Sequence, residues 1–431
     1  MRPGAQIRAA VEVLAEVLGK HQPAAVALAD WGKSHRFAGS GDRAAIGNLV
    51  YDALRRRRSL AAQMQADSPR ALALAAAPRA LGLTTAAIIA GADGSPYALE
   101  PLSEAEQAAL VRDLPADTPV GVRGDIPDWL EGSFARAFGE AAGEEGAALA
   151  RRAPLDLRVN TLKADRDKVL KALAKFAPGP TPLSPVGVRL PAPEGAGRQP
   201  SVEAEAGHGK GWYEVQDEGS QIAALMAAAA PRQQVLDICA GAGGKTLAMA
   251  AAMRNTGQIY AYDDEAARLR PIFERLKRAG VRNAQVLPAG DATGLTALGA
   301  RFDTVFVDAP CTGTGAWRRR PDAKWRLRPT SLEQRVAEQR AVLATALTLV
   351  KPGGRLVYVT CSVLPEENRD QISWLLANHS GFATLPWRDS WSAGVGGEAP
   401  VSADGSDDAL LLTPARHGTD GFFIAVLVRT E

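Results

Sequence analysis

The sequence predicts a multidomain chain. Residues 1–125 read as an all-α domain, 126–213 as a small α+β connector, and 214–431 as an α/β domain on a doubly wound, largely parallel sheet. Three observations carry this. Apolar residues recur every three or four positions through the N-terminal part, which is the helical period. Between Ile126 and Trp212 short apolar runs are broken by clusters of proline and glycine. Beyond Trp212, apolar β-type runs alternate with helical stretches, a pattern satisfied by a parallel sheet covered on both faces.

In chain order, "IRAAVEVLAEVLGK" and "GDRAAIGNLVYDALRRRRSLAAQM" are amphipathic helices, with Asp42 as the expected start of the second. The alanine-rich "SPRALALAAAPRALG" continues the helical pattern, and Pro101–Glu104 is a loop and N-cap before "AEQAALVRDL". The proline-punctuated "LPADTPVGVRGDIPDWL" marks a boundary. In the connector, "PLDLRVNTLKADRDKVLKALAKF" reads as strand, turn and helix. The third part offers the strands "QVLDICA", "QIYAYDD", "AQVLPAGD", "FDTVFVDAP" and "GRLVYVTCS", with helices such as "EAARLRPIFERLKRAG" between them. The last runs, "ALLLTP" and "GFFIAVLVR", joined by "ARHGTDG", predict an antiparallel hairpin on one edge of the sheet. A parallel sheet ending in such a hairpin has a Rossmann-like outline.

Composition sets bounds. Fifty basic against 48 acidic residues leave a net charge of +2, so any basic surface is local. Three cysteines without a CxxC pair favour a reducing, cytoplasmic setting and argue against a disulfide framework or a structural zinc site; no metal is expected. The N-terminus lacks a signal peptide's uncharged apolar core. No apolar run reaches the length of about 18 residues that a membrane span needs.

The cysteines share one pattern. Cys239 follows "VLDI", Cys311 follows "VFVDAP" and Cys361 follows "LVYVT", so each sits at or beyond the C-terminal end of a predicted strand. Open parallel sheets bind ligands at that edge. A nucleophilic cysteine must reach its thiolate form, and His21, His35, His208, His379 and His417 all lie outside these loops. Asp308, Thr360 and Ser362 are the polar neighbours on offer, and they suit acid–base work on a substrate ring. Glu366 and Glu367, after Cys361, read as first-turn acids of the helix "ENRDQISWLLANH" with no chemical role.

"LDICAGAGGKT" follows a strand and opens a helix, with Gly241, Gly243 and Gly244 allowing a tight turn. A phosphate-cradling P-loop would need glycine where Cys239 stands, so that reading fails on spacing. Asp263, at the tip of the next strand, can accept the hydroxyls of a ribose, and Asp291, after the third strand, can meet an adenine or cap a helix. Loop and acids together predict a nucleoside cofactor, either S-adenosylmethionine or a dinucleotide. "TGAWRRRPDAKWRLR" then holds Arg318, Arg319, Arg320, Lys324, Arg326 and Arg328 against the single acid Asp322, interleaved with Trp317 and Trp325. Arginine beside aromatic rings suits a nucleic-acid backbone and unstacked bases. Arg55–Arg58 is either a second phosphate contact or a solvated helix face.

"DAPCTGTG" with "RRRPDAKWR", "TCSVLPEEN" and "CAGAGGKT" closely resemble the Sun/RsmB-type RNA (cytosine-5) methyltransferases, and the resemblance extends along essentially the whole chain. It implies a NusB-like RNA-binding domain at the N-terminus and a Rossmann-like S-adenosylmethionine-dependent methyltransferase at the C-terminus. By that resemblance Cys361 is the nucleophile toward carbon 6 of cytosine, Cys311 serves release, and Asp308 hydrogen-bonds the ring. Cys239, Ala240, Gly241, Ala242, Gly243, Gly244, Lys245, Asp263, Asp291 and Asp308 are the implied cofactor residues. Arg318, Arg319, Arg320, Lys324, Trp325 and Arg326 are the expected RNA contacts. The implied partner is RNA, first of all small-subunit ribosomal RNA, with the protein a cytoplasmic monomer away from membranes. The same chemistry on transfer RNA, or a non-catalytic RNA-binding assembly factor, are the alternatives. One departure stands out: the family loop usually reads Cys-Ala-Ala-Pro-Gly-Gly-Lys, and Gly241 with Ala242 replaces its alanine and proline. Losing the proline predicts a looser loop.

Overall fold

A computed structural model describes Met1–Glu431. The chain divides into two compact units: Met1–Ala153 with Ala192–Gln199 and Trp317–Leu327, and Pro154–Pro191 with Pro200–Ala316 and Arg328–Glu431. Helices Glu131–Phe138 and Ala142–Leu149 fall in the first unit, and the strands between Leu155 and Val215 in the second.

The first unit is helical because its apolar residues keep the helical period and its ends are capped. Helices run Pro3–Lys20, Ala24–Ser34, Ser40–Arg55, Arg57–Met64, Pro69–Leu81, Thr85–Gly91 and Glu104–Leu110. Ser68 accepts from Ala71 N, Thr84 from Ala87 N, and Ser103 pairs reciprocally with Glu106 as a capping box. The alanine-rich helix Pro69–Leu81 is apolar on nearly every side and lies in the core, packed against Leu14, Leu49 and Leu54. Asp42 does not start its helix: Gly39 is the N-cap, and Asp42, three residues on, accepts from Gly39 N. The helical run also breaks at Arg56, so Arg55 ends one helix and Arg57 and Arg58 begin the next.

The second unit holds two sheets. The smaller comprises β1 (Leu155–Val159), β2 (Gly179–Pro180), β3 (Gly187–Leu190) and β4 (Tyr213–Val215), ordered β2-β3-β1-β4 and antiparallel throughout. The larger comprises β5 (Gln234–Asp237), β6 (Gln258–Ala261), β7 (Ala284–Val286), β8 (Phe302–Asp308), β9 (Val350–Thr360), β10 (Phe382–Leu385), β11 (Ala409–Leu412) and β12 (Phe422–Arg429). Its order is β10-β12-β9-β8-β5-β6-β7, with β11 pairing β12. Strands β5 to β9 are parallel, and β10, β11 and β12 join antiparallel. This is the expected Rossmann-like sheet, with one correction: the β11–β12 hairpin is not the margin on its own. Strand β10 pairs along the outer side of β12 from Phe382 to Leu385, giving its main-chain groups partners away from water. Val235, Phe306, Val357, Ile424 and Val426 form the core of this sheet, all without exposed surface.

Candidate active site

The cysteines sit where the strands end. Cys239 lies two residues past β5, Cys311 three past β8 and Cys361 directly after β9, and the order β9-β8-β5 makes these three strands neighbours. The loops therefore emerge side by side at one sheet edge. Cys311 Sγ and Cys361 Sγ are 3.4 Å apart, within reach of an S–H···S hydrogen bond. That bond is the largest influence raising the Cys311 thiol well above its ordinary pKa, with burial adding to it. Cys239 differs. Burial pushes its thiol well up, and the carboxylates of Asp308, Asp237 and Asp263 push further, so it is a poor source of thiolate.

Asp308, the last residue of β8, accepts from Lys245 Nζ at 2.5 Å. Burial works against the Lys245 charge, but Asp308 overcomes it and holds the ammonium above its ordinary pKa. Beneath them Asp237 is fully enclosed; burial raises its pKa to about 7 although Thr246 Oγ1 donates to it at 2.6 Å.

The glycine loop is built on positive φ: +50° at Gly241 and +81° at Gly243. A Cβ at Gly243 would meet Ile272 Cγ1 at 2.4 Å. Glycine at position 241 therefore suits the conformation, since an L side chain there costs roughly 1–2 kcal/mol. The loop is tied down at several points. Gly241 N donates to Asp263 Oδ2 at 3.0 Å, Gly243 N to Ala240 O at 2.8 Å, and Arg275 Nη1 to Ala242 O at 2.8 Å. Glu214 in turn holds Arg275 by a 3.0 Å ion pair. Asp263, 2% exposed, also accepts from Glu265 N at 3.0 Å. Asp291 is exposed and caps the short helix Ala292–Thr296 through Gly294 N at 2.8 Å. Near Asp263, an apolar hollow of about 580 Å3 is lined by Ala267, Leu269, Phe273, Leu287 and Pro288.

The basic segment needs correction as a uniform RNA surface. Within the helical unit Lys324 is 1% exposed and donates to Arg55 O at 2.8 Å and Asp125 O at 3.0 Å. Burial lowers its pKa to about 8. Trp325 Nε1 donates to Leu54 O at 2.5 Å, Trp317 stacks on Phe134, and Arg318 is buried, its carbonyl accepting from Arg55. Arg320, Arg326 and Arg328 are exposed, and Arg319 is half-buried. The Arg55–Arg58 run is not a plain solvated face: Arg55 is buried, Arg56 pairs with Asp52, Arg57 with Asp67, and Arg58 with Asp128 and Glu131. Arg57, Arg58, Trp129, Lys324 and Trp325 line a hollow of about 530 Å3.

Sequence reasoning missed the supports. Pro365–Glu367 is a 3-10 turn, not the first turn of the following helix, which begins at Arg369. Glu367 has no exposed surface; its Oε1 accepts from Thr312 N at 2.7 Å and its Oε2 from Thr312 Oγ1 at 2.5 Å. Proline at position 365, which favours a turn, was the available signal.

Two family models match: 16S rRNA methyltransferase RsmB/F over residues 224–428, and the RsmF/B-like ferredoxin-like domain over 126–195. The probable ribosomal RNA small subunit methyltransferase B of Synechocystis sp. is 34% identical over 313 residues, covering 72% of this chain and 68% of its own length. The ribosomal RNA small subunit methyltransferase B of Sodalis glossinidius is 33% identical, covering 75% of this chain and 70% of its own. Among solved structures, a methyltransferase homolog protein from Pyrococcus horikoshii is 29% identical with a TM-score of 0.59, covering 72% of this chain and 97% of its own. The chain is a member of the RsmB/F family of RNA methyltransferases.

Proposed function

We propose that the protein methylates carbon 5 of a cytosine in small-subunit ribosomal RNA through a covalent cysteine–cytosine adduct, using S-adenosylmethionine. The observation that carries this is the pair of sulfurs 3.4 Å apart at the sheet edge. Asp263, with both oxygens fixed by backbone donors, and the glycine loop with its space for a close ligand fit a nucleoside. The apolar hollow near Asp263 suits a flat base. When bound, the cofactor supplies an electrophilic methyl group.

The protein's residues do the rest. The Cys361 thiolate adds to carbon 6 of the cytosine, and the ring electrons make carbon 5 nucleophilic. Asp308, oriented by Lys245, hydrogen-bonds the ring edge. After methylation Cys311, as thiolate, takes the proton from carbon 5; that electron pair restores the carbon 5–carbon 6 double bond and expels Cys361 as thiolate. The pairing of the thiols times this sequence. The hydrogen bond to Cys361 is the largest influence raising the Cys311 thiol, and it ends once Cys361 is bonded to carbon. Two adjacent thiols that must stay reduced suit the cytoplasm. We read the helical unit as NusB-like and RNA-binding, with Arg319, Arg320 and Arg326 as contacts and the protein working as a monomer. The test is to incubate the protein with small-subunit ribosomal RNA and methyl-labelled cofactor and map the product. Label in 5-methylcytosine is expected; label in another base, or none, contradicts the proposal.

A further inference from the structure

Two consecutive residues grip the flanks of both cysteines. Glu367 accepts from Thr312 N at 2.7 Å and Thr312 Oγ1 at 2.5 Å, immediately after Cys311. Gln339 Nε2 donates to Pro310 O at 2.9 Å, immediately before Cys311, and to Glu367 Oε1 at 3.1 Å. On the other side Asn368 straddles Cys361: it accepts from Thr360 Oγ1 at 2.5 Å and donates to Ser362 O at 2.9 Å. Tyr358 OH fixes the turn by donating to Glu367 O at 2.6 Å.

We infer that Glu367 is a positioning residue: together with Asn368 it ties the Cys311 loop to the end of β9 and sets the distance between the two sulfurs. The functional part of this rests on the proposed cytosine chemistry. A carboxylate without exposed surface is costly to bury, and burial raises its pKa even against its hydrogen bonds. Nothing local to helix formation requires it, because the helix begins beyond it. What its oxygens hold is the backbone and hydroxyl of the residue next to Cys311. A glutamine at position 367 keeps the shape but offers one neutral acceptor oxygen where the carboxylate takes three donors, so the Thr312 hydroxyl must turn round to accept from the amide NH2 and its charge-assisted bond is lost.

Two readouts separate positioning from plain stability. Phenylarsine oxide is captured by two thiols that reach one arsenic: As(III)=O plus two S–H gives two As–S bonds and water. Capture by Cys311 and Cys361 should be fast in the wild type and slowed about tenfold or more in Glu367→Gln, on the scale that small misplacements impose. With RNA and S-adenosylmethionine, Glu367→Gln should lose release far more than the first methyl transfer and should accumulate a denaturant-resistant protein–RNA adduct. Thr312→Val, which removes only the hydroxyl donor, should shift both readouts in the same direction by less, and it serves if Glu367→Gln does not fold. Wild-type capture and turnover in a folded Glu367→Gln, or in Thr312→Val where that variant stands in, overturns the inference. Cys311→Ala run in parallel isolates the chemistry: if it accumulates no adduct the cytosine reading fails, and the arsenical readout still judges the positioning.

Discussion

Cys311 and Cys361 are separated by 50 residues, yet their sulfurs stand 3.4 Å apart, because β8 and β9 are adjacent parallel strands whose ends carry both thiols to one edge. The pairing predicts a shift in reactivity. In Cys361→Ala the hydrogen bond that raises Cys311 is gone while burial persists, so the pKa of Cys311 falls. Peptide-resolved alkylation against pH should show the midpoint for Cys311 at lower pH in the variant than in the wild type. An unmoved midpoint means that the thiols are not coupled.

The glycine loop separates space from backbone strain. Gly243→Ala combines φ +81° with a Cβ 2.4 Å from Ile272 Cγ1, whereas a Cβ at Gly241 meets only Asp263 Oδ2, at 3.9 Å. Gly241→Ala should cost only the roughly 1–2 kcal/mol of a left-handed side chain. Gly243→Ala should cost about 1–3 kcal/mol more. Chemical denaturation of both variants checks the order.

Asp237 gives a stability effect with a definite sign. Its pKa is raised in the fold, to about 7 from 3.8. The native state therefore binds the proton more tightly than the unfolded chain, and this group's contribution declines as pH rises from about 4 to about 7. Asp237→Asn keeps an acceptor for Thr246 and removes the titration. The stability of the variant relative to wild type should rise across that window and level off above it. A difference independent of pH contradicts the assignment.

The basic segment should split into folding and binding residues. Lys324→Ala leaves the carbonyls of Arg55 and Asp125 without their buried donor and should lower stability by about 1–3 kcal/mol. Arg320→Ala, at an exposed position, should leave the melting temperature alone, weaken RNA binding and flatten its salt dependence. Thermal melts with RNA titrations at two salt concentrations distinguish them.

These contrasts mark what the sequence could reveal. The apolar strand runs and the helical period announced the large sheet and the helical unit, because both periodicities are local. The placement of Cys239, Cys311 and Cys361 was legible because each sits within three residues of the end of its strand. Lys324 misled because composition cannot tell a solvated cation from one enclosed by carbonyls contributed by residues far along the chain, Arg55 and Asp125. Glu367 misled similarly: its partners, Thr312 and Gln339, are 55 and 28 residues away. Strand β10 escaped notice because its four residues alternate only weakly and gain their role from pairing with β12.

The central claim is that Cys361 bonds to the cytosine and Cys311 frees it. The most direct measurement is denaturing electrophoresis of Cys311→Ala after incubation with labelled small-subunit ribosomal RNA and S-adenosylmethionine. A covalent protein–RNA band that is absent from Cys311→Ala/Cys361→Ala is expected. No band, together with full methylation by Cys361→Ala, would contradict it.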